Sequence, residues 1–204
     1  MTCIVGLVHD GVTYIGGDSL GSNTYTKTVR QDKKVFKLKD TDNAVLGFTS
    51  SYRMGQLLMY TSGLIDKRDE PNIDHEYLVT KFIPNVIHLF ENGGYSRSRS
   101  GEKEGGTFLL AYKDSLYSIQ SDFQVGQSIK NYDACGSGEE HALGSLYTTE
   151  GTDLTPQERI FKALEAAQEF GCGVQAPFYI MNTDNNEIEW SAQAEETSIQ
   201  KESK

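Results

Sequence analysis

The sequence predicts an α+β fold of four layers, in which two mainly antiparallel sheets pack face to face between two layers of helices. Apolar runs typical of strands come in pairs joined by short turns, which favours antiparallel neighbours. Helical patterns are clustered between the strand groups, as in α+β folds, instead of alternating with single strands. The 204 residues are enough for one domain with a substantial core. We expect a single domain over 1–204, with a frayed tail at about 193–204.

The N-terminal region predicts two pairs of strands. Residues 3–9 and 12–17 are apolar and β-branched, and Asp10-Gly11 between them is a strong hairpin signal. After the polar stretch LGSNTYTKTVRQDKK, the runs VFKL and AVLGFTSS predict a second pair.

Helical periodicity follows these strands. RMGQLLMYTSGL predicts a short helix, and DHEYLVTKFIPNVIHLF has apolar residues four apart that form one wide helical face. Pro84 lies within the second pattern, so we expect that helix to kink or split. The next segment, GGYSRSRSGEKEGG, has the composition of a flexible surface loop. We interpret its basic cluster as a solvated hairpin tip, not a binding patch; the cluster comprises Arg97, Arg99 and Lys103.

The second half repeats the order of strands, helices and strands. TFLLAYKD and LYSIQS predict a hairpin, QVGQSIKNYDACGSG adds a strand, and EEHALGSLY predicts a helix. The clearest helix start is Thr155-Pro156-Gln157-Glu158, a capping box with proline at the first helical position, and Gly171 ends that helix. PFYIMNTD and EIEWSA predict the closing strands.

Composition excludes several classes of function. A net charge of −10 argues against binding to nucleic acid or to an anionic membrane surface. No run of 18 apolar residues and no signal-peptide pattern occur, so we expect no membrane segment and a cytoplasmic protein. The 3 cysteines are far apart, and the 4 histidines lack ligand spacing. We therefore expect reduced thiols, no metal and no cofactor.

The first strand carries the candidate chemistry. Thr2 follows Met1, and removal of methionine before a small residue would make Thr2 the N-terminal residue. Its α-amine, with an ordinary pKa of about 8, could then accept the proton of its own hydroxyl. A nearby lysine would keep the amine neutral and stabilise an oxyanion, and a carboxylate would hold that lysine. Asp18 ends the second strand, and Lys34 immediately precedes VFKL.

These residues resemble the start of proteasome β subunits and the bacterial HslV peptidase, which are N-terminal-nucleophile (Ntn) hydrolases. The motifs are T-C-I-V-G, then Gly-Asp-Ser, then K-K-V-F, with Asp18 and Lys34 at 16 and 32 positions after Thr2, as in the family. AVLGFTSS resembles the segment that supplies the oxyanion-hole amide, which implies Ser50. D-A-C-G-S-G-E-E-H-A-L-G-S-L resembles the later helix entry, whose serine binds near the terminal amine, which implies Ser137.

The resemblance implies a threonine-type endopeptidase on the αββα Ntn-hydrolase fold. Such enzymes act on polypeptides inside rings of identical subunits, often with a separate ATP-dependent unfoldase. This chain departs from the family at two places. Gly171 and Val174 stand roughly where an acid and a second serine are common, and Ser50-Ser51 replace small glycines in the oxyanion loop.

Three alternatives remain open at this stage. Retention of Met1 would give a catalytically inactive, proteasome-like structural subunit, and the same residues could also serve a non-peptidase Ntn amidohydrolase. Cys3 as nucleophile would need both preceding residues removed. Taken singly, Thr2, Asp18 and Lys34 each have an ordinary structural explanation, and only their joint spacing favours catalysis.

Overall fold

The computed structural model describes residues 1–23, 25–95, 97–99, 102–184 and 187–190. The strands in chain order are β1 (Cys3–His9), β2 (Val12–Gly17), β3 (Leu20–Ser22), β4 (Lys27–Val29), β5 (Val35–Lys37), β6 (Ala44–Phe48), β7 (Arg97–Arg99), β8 (Glu102–Glu104), β9 (Phe108–Tyr112), β10 (Ser115–Ile119), β11 (Val125–Gly126), β12 (Tyr132–Gly136), β13 (Phe178–Asn182) and β14 (Glu187–Trp190). The α-helices are α1 (Tyr52–Tyr60), α2 (His75–Tyr77), α3 (Ile83–Asn92), α4 (Glu139–Thr148) and α5 (Pro156–Phe170).

Two five-stranded sheets form the centre of the fold. Their strand orders are β12-β1-β2-β13-β14 and β11-β10-β9-β6-β5, and every neighbouring pair is antiparallel. One buried cluster lies between the two sheets. A second cluster joins the first sheet to α4 and α5, and a third joins the second sheet to α1 and α3. The predicted four-layer αββα sandwich with antiparallel sheets is confirmed.

The first hairpin forms as predicted and starts the site. Asp10 and Gly11 have φ of 48° and 78°, the left-handed backbone that a tight two-residue hairpin turn requires. Alternate residues of β1 face opposite sides, so Ile4 contacts the second sheet while Cys3 and Val5 contact the helices. Ile4 pairs with Gly17, and this register brings the end of β2 beside the start of β1.

The helix containing Pro84 does not end at the proline. The backbone passes from α2 through a π-helical segment, Leu78–Phe82, directly into α3, and the Ile83 N–H donates to the Leu78 carbonyl. A proline ring clashes with the carbonyl four residues earlier, here that of Thr80 within the π segment. The wider π turn gives that ring room, so the expected kink or split is replaced by a local change in helical winding.

Two segments that the sequence analysis left without strands form short hairpins. Within the polar stretch after β2, β3 pairs with β4, and the Asn23 side chain accepts from the backbone N–H groups of Tyr25 and Thr26 at 2.9 and 2.8 Å. In the loop 93–106, β7 pairs with β8, and Lys103 forms an ion pair with Glu91. Side-chain turns and short pairings leave little hydrophobic pattern, which explains why the sequence indicated no strands in these segments and only a hairpin tip at the basic cluster.

The remaining predicted elements fall where expected. α5 starts with the capping box of Thr155 and Glu158 and ends before Gly171. The expected tail at 193–204, together with Ser96, Ser100 and Gly101 of the predicted loop, lies outside the described residues. None of the helices in the described ranges combines the length and the apolar character needed to cross a membrane.

Candidate active site

Lys34 connects the start of the chain to the end of β2. Its Nζ donates three hydrogen bonds: to Thr2 Oγ1 at 2.8 Å, to Asp18 Oδ1 at 2.8 Å and to the Leu20 carbonyl at 2.7 Å. An ammonium has three protons, so all of them are used. The sequence-predicted hydroxyl, cation and carboxylate therefore form one connected group.

The Asp18 carboxylate is fixed from several directions. Its Oδ1 accepts from the Cys3 N–H at 3.1 Å, and its Oδ2 accepts from the N–H groups of Leu20 at 2.9 Å and Gln175 at 3.3 Å. The side chains of Asp18 and Lys34 are 0% and 1% exposed. Because the backbone of three separate segments holds the carboxylate, Lys34 is held in one position beside Thr2.

Burial lowers the pKa of Lys34 from its ordinary value, and the neighbouring Asp18 carboxylate partly offsets this effect. Desolvation disfavours the charged form of any buried lysine, whereas an opposite charge at contact favours it. A cation directly beside the Thr2 hydroxyl lowers the energy of negative charge on that oxygen. The arrangement can thus make the hydroxyl more acidic and stabilise an adjacent oxyanion.

The Thr2 nitrogen is held by Ser137. The Thr2 N–H donates to Ser137 Oγ at 3.1 Å, and the same hydroxyl lies 3.3 Å from the Thr2 carbonyl oxygen. Gly136, the last residue of β12, has φ of 101°, and a Cβ there would come within 2.3 Å of the Thr2 carbonyl oxygen. The glycine permits the close approach of β12 that brings Ser137 to the start of β1.

Met1 occupies part of the same site. The Thr2 hydroxyl donates to the Met1 carbonyl, and Met1 lines the cavity that contains Thr2. While Met1 is attached, the Thr2 nitrogen is a peptide amide and has no basic lone pair. The chemistry that the group can perform therefore depends on whether Met1 is removed.

Ser50 lies across this cavity of about 50 Å³, which Thr2 and Lys34 also line. Its φ is 69°, the left-handed region that a non-glycine residue rarely adopts, and its Oγ accepts from the Thr107 N–H at 3.1 Å. Within the described residues, the Ser50 backbone N–H has no acceptor. It is an unused hydrogen-bond donor on a residue that lines the cavity.

Cys3 does not have the properties of a nucleophile. Burial and the nearby carboxylates of Asp18 and Glu139 raise the pKa of its thiol far above the ordinary value. A buried thiol with a raised pKa carries almost no thiolate, which is the reactive form. The alternative in which Cys3 attacks the substrate is disfavoured.

Gly173 lies against Ser137 Oγ, the group that binds the Thr2 nitrogen, and sequence reasoning missed it. A Cβ at Gly173 would lie 2.4 Å from Ser137 Oγ and 2.8 Å from Met1 Cβ. Gly171, the expected neighbour, instead ends α5 by donating its N–H to the Ala167 carbonyl. The second glycine of GCG was the available signal, but only the loop after α5 shows which of the two reaches the site.

Comparisons with known proteins identify the fold. Scans against protein-family models and against curated protein sequences give no match. Solved structures, however, show that the chain has the fold of the proteasome β/HslV-like Ntn hydrolases. The resemblance inferred from the sequence is confirmed at this level.

Three of these structures indicate the extent of the similarity. BPH from Thiobacillus denitrificans matches with a TM-score of 0.68 and 18% identity, over 93% of this chain and 99% of that one. Its complex with epoxomicin matches with a TM-score of 0.68 and 17% identity, over 88% and 97%. Eukaryotic HslV from Trypanosoma brucei matches with a TM-score of 0.66 and 14% identity, over 88% and 98%.

Proposed function

We propose that the protein is a threonine-type peptidase in which Thr2, made N-terminal by removal of Met1, attacks the peptide carbonyl. One observation carries the proposal: Lys34 Nζ bridges Thr2 Oγ1 and Asp18 Oδ1 at 2.8 Å each, in a fully buried position. A buried ion pair costs desolvation energy and contributes little to stability, so its placement on a hydroxyl favours a catalytic role.

The first step is attack by the Thr2 hydroxyl. The Thr2 Oγ–H proton passes to the free α-amine of the same residue, and a bond forms between Oγ and the substrate carbonyl carbon. Ser137 Oγ, which lies 3.1 Å from the Thr2 nitrogen, orients the amine and stabilises the ammonium that forms. Lys34 stabilises the negative charge that develops as the proton leaves.

The tetrahedral oxyanion is bound by the backbone N–H of Ser50. Ser50 lines the cavity with Thr2, and its backbone N–H has no acceptor among the described residues. Collapse of the intermediate breaks the C–N bond, and the amine leaves with the proton held by the α-amine. Water then attacks the Thr2 ester and gives one proton to the amine. The bond between the acyl carbon and Thr2 Oγ breaks as that proton returns to Oγ, which releases the carboxylic acid and regenerates the free hydroxyl.

The proposal extends to the surroundings of the enzyme. We propose a cytoplasmic protein that acts on polypeptides in a homo-oligomeric ring, with a separate ATP-dependent unfoldase as partner. The fold shared with HslV supports the ring and the unfoldase partner. The net charge of −10 argues against nucleic acid as a partner.

The second candidate is a catalytically inactive structural subunit that keeps Met1. The Met1 carbonyl accepts from the Thr2 hydroxyl, and Met1 lines the Thr2 cavity. A protein that retained Met1 would have no terminal amine at Thr2. A non-peptidase amidohydrolase would use the same residues on a small amide and differs only in substrate.

Two measurements test the proposal. Intact mass of the purified protein should show loss of one methionine. The processed protein should cleave fluorogenic peptides, Thr2→Ala should lower kcat/KM at least about a thousand-fold, and Thr2→Ser should keep partial activity. Retained methionine with no turnover would establish the inactive subunit, and turnover of small amides alone would establish the amidohydrolase. Full peptide turnover by Thr2→Ala would refute the assignment of the nucleophile.

A further inference from the structure

Two hydroxyl groups near Thr2 are buried and lack a hydrogen-bond partner in the part of the chain that the structure describes. They are Ser22 Oγ and the phenol oxygen of Tyr52. Both residues line the Thr2 cavity. Leaving a buried polar group unpaired costs roughly 1–3 kcal/mol, and native proteins pair nearly all such groups. Two unpaired hydroxyls on residues that line one cavity therefore point to a polar ligand group as their partner.

The same two residues also line a second pocket, of about 240 Å³, which we call the polar pocket. Its other lining residues are Gly21, Asn23, Thr26, Thr28 and Arg30. They supply hydroxyl, amide and guanidinium groups, and no carboxylate is among them. Because Ser22 and Tyr52 line both cavities, the polar pocket adjoins the Thr2 cavity at these two residues.

The Tyr52 ring is held rigidly between the two cavities. The Arg30 guanidinium lies 3.8 Å above the ring centre, and the Phe48 ring packs edge-on at 5.6 Å. Asp32 holds Arg30 through two hydrogen bonds of 2.7 and 2.6 Å. A phenol fixed in this way loses little rotational freedom when it binds a ligand, which favours its use in recognition.

The phenol is a hydrogen-bond donor at neutral pH. Burial raises the pKa of Tyr52 well above its ordinary value, so the group stays protonated. The Ser22 hydroxyl can both donate and accept. The matching ligand group offers an acceptor to Tyr52 and either a donor or an acceptor to Ser22.

Charge decides between an amide and a carboxylate. The two cations beside the Tyr52 ring are already paired, Arg30 with Asp32 and Lys34 with Asp18. A carboxylate entering here would lose its hydration without meeting an unpaired cation. A neutral amide carries no charge and avoids this cost. An apolar side chain would leave both hydroxyls unpaired.

Building on the proposed function, we propose that Ser22 and Tyr52 select peptides with a side-chain amide, Gln or Asn, at the residue whose carbonyl Thr2 attacks. The amide oxygen accepts from the Tyr52 phenol, and the amide N–H donates to Ser22. The polar pocket accommodates the end of the side chain. Gln is preferred over Met, which has a similar size, and over Glu, which has a similar shape but carries a charge.

Turnover of three matched fluorogenic peptides, with Gln, Met or Glu before the scissile bond, tests the proposal. We expect kcat/KM at least about ten-fold higher for Gln than for the other two. Tyr52→Phe and Ser22→Ala, which remove only a hydroxyl, should each reduce the preference for Gln over Met about two- to twelve-fold. Tyr147→Phe, an exposed tyrosine on α4, is the matched control and should leave it unchanged. Equal rates for Gln and Met, or a preference that Tyr52→Phe leaves intact, would overturn the proposal.

Binding separates this inference from the peptidase activity. Fluorescence anisotropy with labelled Gln and Met peptides is measured on Thr2→Ala and on Thr2→Ala/Tyr52→Phe. The inference is supported if Thr2→Ala binds the Gln peptide more tightly than the Met peptide and Tyr52→Phe abolishes this difference. This outcome holds even if no form of the protein cleaves peptides and the proposed function fails. Equal binding of the two peptides to Thr2→Ala refutes it, whatever the turnover.

Discussion

Lys34 Nζ donates a hydrogen bond of 2.8 Å to the Thr2 hydroxyl, although the two residues lie 32 positions apart in the sequence. The other two protons of the ammonium are used by Asp18 and the Leu20 carbonyl. Lys34 therefore cannot move without losing contacts on three sides. Its role in the stability of the site can be measured separately from its role in chemistry.

Removing the carboxylate should strongly destabilise the fold. Asp18→Asn leaves a buried ammonium without its counter-charge, and we expect the free energy of unfolding to fall by about 3–5 kcal/mol. The double variant Asp18→Asn/Lys34→Met should lose less than the sum of the single losses, because the two charges are in contact. Urea unfolding of the unsubstituted protein, Asp18→Asn, Lys34→Met and the double variant gives the coupling free energy of the pair. The control Arg68→Met breaks an exposed ion pair with Asp66 and should change little. Additive losses would show that the pair is uncoupled.

The lowered pKa of Lys34 predicts a dependence of stability on alkaline pH. The folded-state pKa lies below the unfolded value of 10.5, so the unfolded state binds the proton more tightly between these two values. The contribution of Lys34 to the free energy of unfolding should rise as pH increases through that window, and fall as pH decreases through the folded-state pKa. Urea titrations from pH 8 to 10.5 check this, with Lys34→Met as the reference that lacks the titrating group. A difference between the two proteins that does not change with pH would contradict the prediction.

Ser137→Ala should impair catalysis more than folding. The substitution removes the hydroxyl 3.1 Å from the Thr2 nitrogen, which becomes an ammonium in the proposed mechanism. Loss of a hydrogen bond to a charged group costs about 1.5–3 kcal/mol, so we expect kcat to fall about 10- to 150-fold. The pH–rate profile should shift as well, because the amine loses a partner. Ser128→Ala, at an exposed loop position, should leave both unchanged. An unaltered kcat for Ser137→Ala would show that the contact is only structural.

Gly173→Ala and Gly144→Ala form a matched pair. A methyl group at Gly173 would lie 2.4 Å from Ser137 Oγ, so the serine side chain must move. We expect turnover to fall at least about ten-fold, as in Ser137→Ala. In α4, a Cβ at Gly144 would meet no atom within 4 Å among the described residues, apart from its chain neighbours and the adjoining backbone of its own helix. There alanine should raise the free energy of unfolding by up to about 1 kcal/mol and leave activity unchanged. Thermal unfolding and peptide turnover report the two effects, and equal turnover of both variants would exclude crowding at the amine.

Much of the fold could be predicted because local signals agreed with the tertiary structure. Asp10-Gly11 adopts the positive φ values that its hairpin requires, and Thr155 with Glu158 forms the predicted capping box. These signals act over a few residues, so propensity and side-chain hydrogen bonds suffice to define them. The π-helical segment before Pro84 could not be predicted, because a proline in a helix can be accommodated by a kink, a break or a change of winding.

The sequence by itself determined which side chains carry the candidate chemistry: the spacing of Thr2, Asp18 and Lys34 matches that of the Ntn hydrolases it resembles, and this match singled them out before any contact was known. Only the tertiary structure decided that Gly173, and not Gly171, lies against Ser137 Oγ, and that Arg30 packs on the ring of Tyr52, which lines the Thr2 cavity. The reason is physical. A spacing along a strand or turn fixes which residues are available, but distances between side chains on separate segments are set by how the sheets and helices pack.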